Sequence, residues 1–262
     1  MKRIKKIGII GCGTIGTGIA EFIQRDLTKK ARVVALCDID SGKARGLSKK
    51  IRPRPIITGI ENLIKKSDLI IEAAGVDCSS EIAEKAYLRK KDVLIMSTGG
   101  LLKKGSLIKK AMMKGCNIYI PSGAICGLDG LISAGMGKIK SVRLTTRKPI
   151  KGLKDAPYLK KRSIATIKKE TLVYNGNAED AIRHFPKNIN VAATLSLSGI
   201  GPRRTKVRII TSPRYTKNIH EVEVEGEFGR FFARTENVPS KGNPKTSQLA
   251  IFSALAKLKE II

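Results

Sequence analysis

Lys5-Lys-Ile-Gly-Ile-Ile-Gly-Cys-Gly-Thr-Ile-Gly16 is the stretch whose reading decides the fold. Positions 4–10 are a short apolar run ending in glycines, the mark of a strand buried inside a parallel sheet. From Thr14 the spacing turns helical, with Ile15, Ile19, Phe22 and Ile23 on one side. Between the two lies GxGxxG. Gly11 permits the tight turn, Gly13 lets a pyrophosphate approach the backbone, and Gly16 lets helix pack close to strand. The N–H groups of the first helical turn, where Thr14 and Ile15 sit, lack partners within the helix and face an anion at its positive end.

Working outward, positions 33–37 read as a second buried strand, with Asp38 at its end. A carboxylate there accepts hydrogen bonds from both ribose hydroxyls and repels a 2′-phosphate. NAD is therefore the expected cofactor, and Lys43 and Arg45 just downstream leave NADP possible. The competing reading is a glycine turn that binds nothing. The strand before it, the helix after it and the position of Asp38 favour the dinucleotide.

Further strands at 69–73, 92–96 and 117–120 alternate with helical spacing around 60–66, 80–89 and 107–114. Such alternation implies right-handed βαβ units and a doubly wound sheet, an N-terminal Rossmann domain over 1–120. After Pro121 the texture changes. Helices are expected at 128–136, 178–184 and 191–198, and strands with antiparallel alternation at 141–147, 205–212, 219–225 and 229–235. The expectation for 121–243 is a C-terminal α+β domain, catalytic and dimerising, with a mainly antiparallel sheet. The overall class is α/β. A helix over 246–262, capped by Asn243–Ser247, is expected to pack back on the Rossmann domain as a segment over 244–262.

Composition narrows the function. The 262 residues are 42% hydrophobic, with no apolar run of about eighteen, so no membrane span is expected. The basic start runs into glycines without an apolar signal core, so a cytoplasmic protein is expected. Cys12, Cys37, Cys78, Cys116 and Cys126 form no CxxC pair and read as buried reduced thiols, with no metal site. The net charge is +29, from 51 Lys plus Arg against 22 Asp plus Glu. The lysines are spread along the whole chain as doublets. With aromatics at 4% and no Trp, a solvated basic surface is the better reading than nucleic-acid recognition. That surface still attracts anions.

A dehydrogenase needs a group to move a proton, and histidine suits neutral pH. His184 precedes Phe185-Pro186 at a helix end, a capping or surface position. His220, at a strand start in the second domain, is either an edge residue or the proton-handling group. Asn188 and Asn190 open a helix, where amides suit a nicotinamide carboxamide, a substrate carboxylate or simple capping.

Several segments together resemble the L-aspartate dehydrogenase family: Gly11–Gly16, Glu72-Ala-Ala-Gly75, Met96-Ser-Thr-Gly-Gly-Leu101, Pro121-Ser-Gly-Ala-Ile-Cys-Gly-Leu-Asp129, Phe185–Thr194, Asn218-Ile-His-Glu-Val222 and Asn243-Pro-Lys-Thr-Ser247. The resemblance runs through most of the chain. It implies a Rossmann domain, an α/β domain whose sheet helps form a homodimer, and NAD(P)-dependent deamination of L-aspartate to iminoaspartate or amination of oxaloacetate. It further implies a role feeding quinolinate and NAD synthesis. By position it makes His220 the catalytic histidine, Ala124 and Asn190 cofactor contacts, and Asn243, Lys245 and Thr246 candidates for the substrate lining. Arg203 and Arg204 are further candidates for a dicarboxylate, or belong to a solvated loop. The chain departs from the family in being far more basic, away from these motifs. Relatives of homoserine dehydrogenase or dihydrodipicolinate reductase share the architecture and are the nearest alternative. A non-catalytic NAD-sensing protein that binds nucleic acid is a more distant one.

Overall fold

Strand and helix alternate from the start of the chain in a computed structural model that describes residues 3–153, 156–159, 166–185, 190–240 and 242–262. Asn188 lies outside these residues, and the side chains of Lys103, Pro244 and Lys245 lie outside the description. The chain divides into two compact units, Met1–Pro121 with Ile251–Ile262, and Ser122–Ala250.

The first unit runs β1 (Lys5–Ile10), α1 (Thr14–Asp26), β2 (Ala31–Cys37), α2 (Ser41–Lys50), β3 (Ile56–Ile57), α3 (Ile60–Lys66), β4 (Leu69–Glu72), α4 (Ser79–Leu88), β5 (Asp92–Ile95), α5 (Leu107–Met113) and β6 (Ile118–Tyr119). Its sheet has the order β3-β2-β1-β4-β5-β6, and every pairing is parallel. Such a sheet is covered on both faces, so its strands are apolar throughout: Ile7, Ile9, Leu69, Ile70, Ile71, Val93 and Leu94 are buried. Chain order reverses between β1 and β4, which opens a crevice beyond the carboxyl ends of these strands.

The second unit holds α6 (Leu128–Ala134), β7 (Ile139–Pro149), β8 (Thr171–Asn177), α7 (Ala178–His184), α8 (Asn190–Ser198), β9 (Thr205–Ser212), β10 (Asn218–Gly226), β11 (Gly229–Asn237), β12 (Pro239–Ser240) and β13 (Asn243–Ser247). Its main sheet is ordered β11-β10-β7-β9-β8. The pairings are antiparallel except β7 with β9, which is parallel. Val142, Leu144, Val207, Ile209, Val222 and Val224 share the inner face and pack with Leu131, Ala181, Ala192 and Leu195 of the helices. On the opposite face Glu221 pairs with Arg147 and Arg234, and Glu223 with Arg143 and Arg230.

The last helix, α9 (Gln248–Ile261), buries Ala254 and Leu258 in the cluster built on Ile7, Ile9, Ile19 and Ile23 of the first unit. It begins two residues later than the sequence suggests. Residues 243–247 form a strand, β13, whose partner is β12, and the Gln248 N–H donates to the Val238 carbonyl at 2.9 Å. Among the described residues no helix is long and apolar enough to cross a membrane.

Candidate active site

At the carboxyl end of β1 the glycine loop is fixed by contact. Gly11 has φ +97°, and a Cβ there would lie 2.4 Å from the Ala73 carbonyl carbon and oxygen. A Cβ on Gly16 would lie 1.9 Å from the Gly11 oxygen, so neither position accepts a side chain. Gly13 differs: a Cβ there would meet nothing within 4 Å, which leaves the loop backbone open to a ligand. Gly13 also starts α1 with no side-chain cap and no acid in the first turn, so the amides around Thr14 and Ile15 face that space uncompensated.

Asp38 braces this loop. Its Oδ2 accepts the Cys12 N–H at 2.6 Å and its Oδ1 the Asp40 N–H at 2.8 Å. Burial first, and the Asp38 charge second, push the Cys12 thiol up to about 12, so it stays a neutral spacer. An open cradle at Gly13, free amides and a carboxylate at the end of β2 together fit a dinucleotide.

One functional group on this side went unassigned in the sequence. Glu72, at the end of β4, is buried and accepts N–H groups from Ala74 (2.8 Å), Gly75 (2.9 Å) and Ser97 (3.0 Å). Burial raises its carboxyl pKa, and the three amides pull the other way. It ties the loops after β4 and β5 to one carboxylate. The signal was present in Glu72-Ala-Ala-Gly75, where an acid ends an otherwise apolar strand.

In the second unit the inner face of the sheet turns polar at one end. His220 stands opposite Thr146 and Thr235 in the register of β10 with β7 and β11. It is buried, and its Nδ1 lies 3.1 Å from the Thr146 hydroxyl oxygen. Burial, followed by the Lys148 charge, lowers its pKa to about 3, so the imidazole is neutral. Beside it, Thr235 Oγ1 and Asn237 Nδ2 donate to the Ala124 carbonyl at 2.9 and 3.1 Å. Ser247 Oγ donates to Asn237 Oδ1. These bonds bring Ala124, β11 and the end of β13 into one polar cluster with His220.

Thr246 is half-buried next to Ser247, and the Asn243 carbonyl accepts the Ser240 hydroxyl at 2.9 Å. Lys245 lies on β13, its side chain outside the description. Asn190 is the exposed first residue of α8. His184 packs against Tyr158 and Tyr174, with ring centroids 4.7 and 5.9 Å away. Arg203 pairs with Glu179, and Arg204 donates to the Ile139 carbonyl. Among the described residues no group of three or more His, Cys, Asp or Glu gathers as a metal site.

Residues 129–261 match the family described as "Aspartate dehydrogenase, C-terminal", just over half of the chain. The chain belongs to the L-aspartate dehydrogenase family. Residues 11–121 match "Homoserine dehydrogenase, NAD binding domain". The L-aspartate dehydrogenase of Methanosarcina mazei is 45% identical, covering 98% of this chain and 97% of that protein. That of Methanocaldococcus jannaschii is 39% identical, covering 98% and 96%. The crystal structure of aspartate dehydrogenase from Thermotoga maritima superposes with a TM-score of 0.74 at 25% identity, covering 99% of this chain and 97% of that one. A homoserine dehydrogenase from Thiobacillus denitrificans shares the fold alone, at 14% identity and a TM-score of 0.65. Membership in the family makes the chain an NAD(P)-dependent amino-acid dehydrogenase.

Proposed function

We propose that the chain oxidises L-aspartate to iminoaspartate, and aminates oxaloacetate in reverse, with His220 as the proton-handling group. The observation that carries this reading is His220 itself, buried, neutral and held by Thr146 at the polar end of the inner face. With Nδ1–H donated to the Thr146 hydroxyl, Nε2 keeps its lone pair and accepts the proton that the substrate ammonium gives up. Burial keeps the ring neutral in the free chain, and the negative charge of the bound carboxylates would raise its affinity for that proton.

Gly11, Gly13, Thr14, Ile15, Gly16 and Asp38 would hold the dinucleotide, with NAD preferred because of the Asp38 carboxylate. Once bound, it supplies the two-electron acceptor for the substrate Cα. Ala124 and Asn190 join the cofactor contacts in this reading, and Asn243, Lys245 and Thr246 the substrate lining. The enzyme works as a cytoplasmic homodimer paired through its C-terminal sheet, and its unstable product feeds quinolinate and NAD synthesis.

The test is reduction of NAD by L-aspartate, and oxidation of NADH by oxaloacetate with ammonia, against a panel that includes homoserine and other amino acids. Turnover confined to the aspartate pair is expected. Turnover on homoserine in its place would remove the proposal.

A further inference from the structure

L-Aspartate brings two carboxylates, and the reading above offers them a single cation, Lys245. Arg203 and Arg204 are engaged elsewhere, with Glu179 and the Ile139 carbonyl. Lys148 is placed differently. It stands two residues beyond Thr146 on β7, so its side chain leaves the sheet on the face that carries Thr146 and His220. His220 is directly opposite Thr146, which puts Lys148 on the diagonal, about 7–8 Å from His220 between Cα atoms. A four-carbon stem spans that distance. The Lys148 backbone is pinned, because its Cα pairs with Thr211 and its carbonyl accepts the Thr211 hydroxyl at 2.8 Å.

The charges of these strands are sorted by face. Arg143 and Arg147 on β7, Glu221 and Glu223 on β10, and Arg230 and Arg234 on β11 alternate to the outer side, where they pair with one another. The inner positions of β7, β9, β10 and β11 are Val142, Leu144, Thr146; Val207, Ile209, Thr211; His220, Val222, Val224; and Phe231, Ala233, Thr235, Asn237. Lys148 is the one ionised side chain among them. Lys148 is half-buried, burial draws its ammonium down to about 8, and an incoming anion stabilises its charged form.

We propose that Lys148 anchors a carboxylate of the dicarboxylate substrate beside His220. The inference rests on the L-aspartate reading and names the specificity-determining cation of that same site. A backbone fixed by Thr211 and a face cleared of other charge make the anchor directional. In the free chain the same ammonium helps keep His220 neutral.

The experiment uses the full chain, with Lys148→Met, Lys148→Gln and Lys148→Arg. KM for L-aspartate and calorimetric Kd for succinate, measured with NADH present, are read beside kcat, NADH affinity and thermal midpoint. Both substrate-side constants should rise about 30- to 100-fold in Lys148→Met. NADH affinity should stay within about twofold, kcat should fall far less than KM rises, and Lys148→Arg should regain most of the loss. Lys148→Gln replaces Lys148→Met if the latter folds poorly. Unchanged KM and succinate Kd would overturn the anchor, and so would a loss confined to kcat. If the wild-type chain does not turn over L-aspartate, the functional reading fails first. Succinate binding to wild type and variant then judges Lys148 on its own.

Discussion

The two sheets of this chain end in opposite ways. In the first unit β1 and β5 are apolar on both faces to their carboxyl ends and β4 as far as Ile71, and the candidate site there is mostly backbone: three glycines, the first turn of α1, and one braced carboxylate. In the second unit the inner face is apolar over Val142, Leu144, Val222 and Val224, then changes to Thr146, Lys148, His220, Thr235 and Asn237 within the same strands. A backbone site suits a ligand that many proteins share, because amides and a helix end recognise phosphate whatever the neighbouring side chains are. A side-chain site built across strands suits one substrate. The lesson is a division of labour: affinity for the cofactor and chemistry on the substrate should fail independently.

The largest effect should come from His220. His220→Gln should lower turnover about 10²- to 10⁴-fold and leave NADH affinity within about twofold. Equal damage to both would collapse the division. Gly13→Val should do the converse, weakening NADH binding on the order of 100-fold while the thermal midpoint barely moves, because its Cβ enters open space. Gly16→Ala is its control. It should lose fold stability as well, since its Cβ meets the Gly11 oxygen. A Gly13→Val protein that binds NADH normally would show that the cradle is not the cofactor site. Smaller again, Glu72→Gln should destabilise the chain by about 3 kcal/mol in urea unfolding, because an amide cannot accept three N–H groups as a carboxylate does. A loss below about 0.5 kcal/mol would mean that Glu72 ties nothing together.

The same contrast explains what the sequence revealed. β1, β2, β4 and β5, with α1, α3 and α4 between them, are legible because burial on both faces leaves unbroken apolar runs between glycines and polar turns. α2 was not legible: only Ala44, Leu47 and Ser48 are buried, too few for a helical stripe, and Asp40 caps the helix through Gly42 and Lys43 instead. β8 was missed because a register shift between Leu172 and Tyr174 breaks its alternation. β13 read as a helix cap because Asn-Pro-Lys-Thr-Ser carries capping residue types. In the site, the glycines and Asp38 follow from local spacing. His220 emerged only as one of two histidines until the family resemblance separated them. Lys148 was invisible because the expected strand stopped at Arg147, whereas β7 continues to Pro149 and carries the lysine onto the inner face.

The smallest expected effect tests the electrostatics of that face directly. His220 titrates at about 3 in the folded chain against an ordinary value of 6.5. Above about pH 6.5 the ring is neutral in both states and contributes no pH dependence. Below it the unfolded chain takes a proton that the folded chain refuses, so stability falls as pH drops from 6.5 toward 3. At pH 5 the loss amounts to about 2 kcal/mol relative to pH 7. Glu72 works with the opposite sign, because burial raises its pKa and the folded chain then holds its proton more firmly as pH falls. Comparing urea unfolding of wild type and His220→Gln at pH 7 and pH 5 cancels Glu72 and the surface carboxylates. The wild-type chain should lose about 2 kcal/mol more than the variant across that interval. Parallel losses would mean that His220 is solvated and charged like any surface histidine. The polar end of the second sheet would then be open to water, and neither a neutral base nor a lysine drawn down by burial beside it could be sustained.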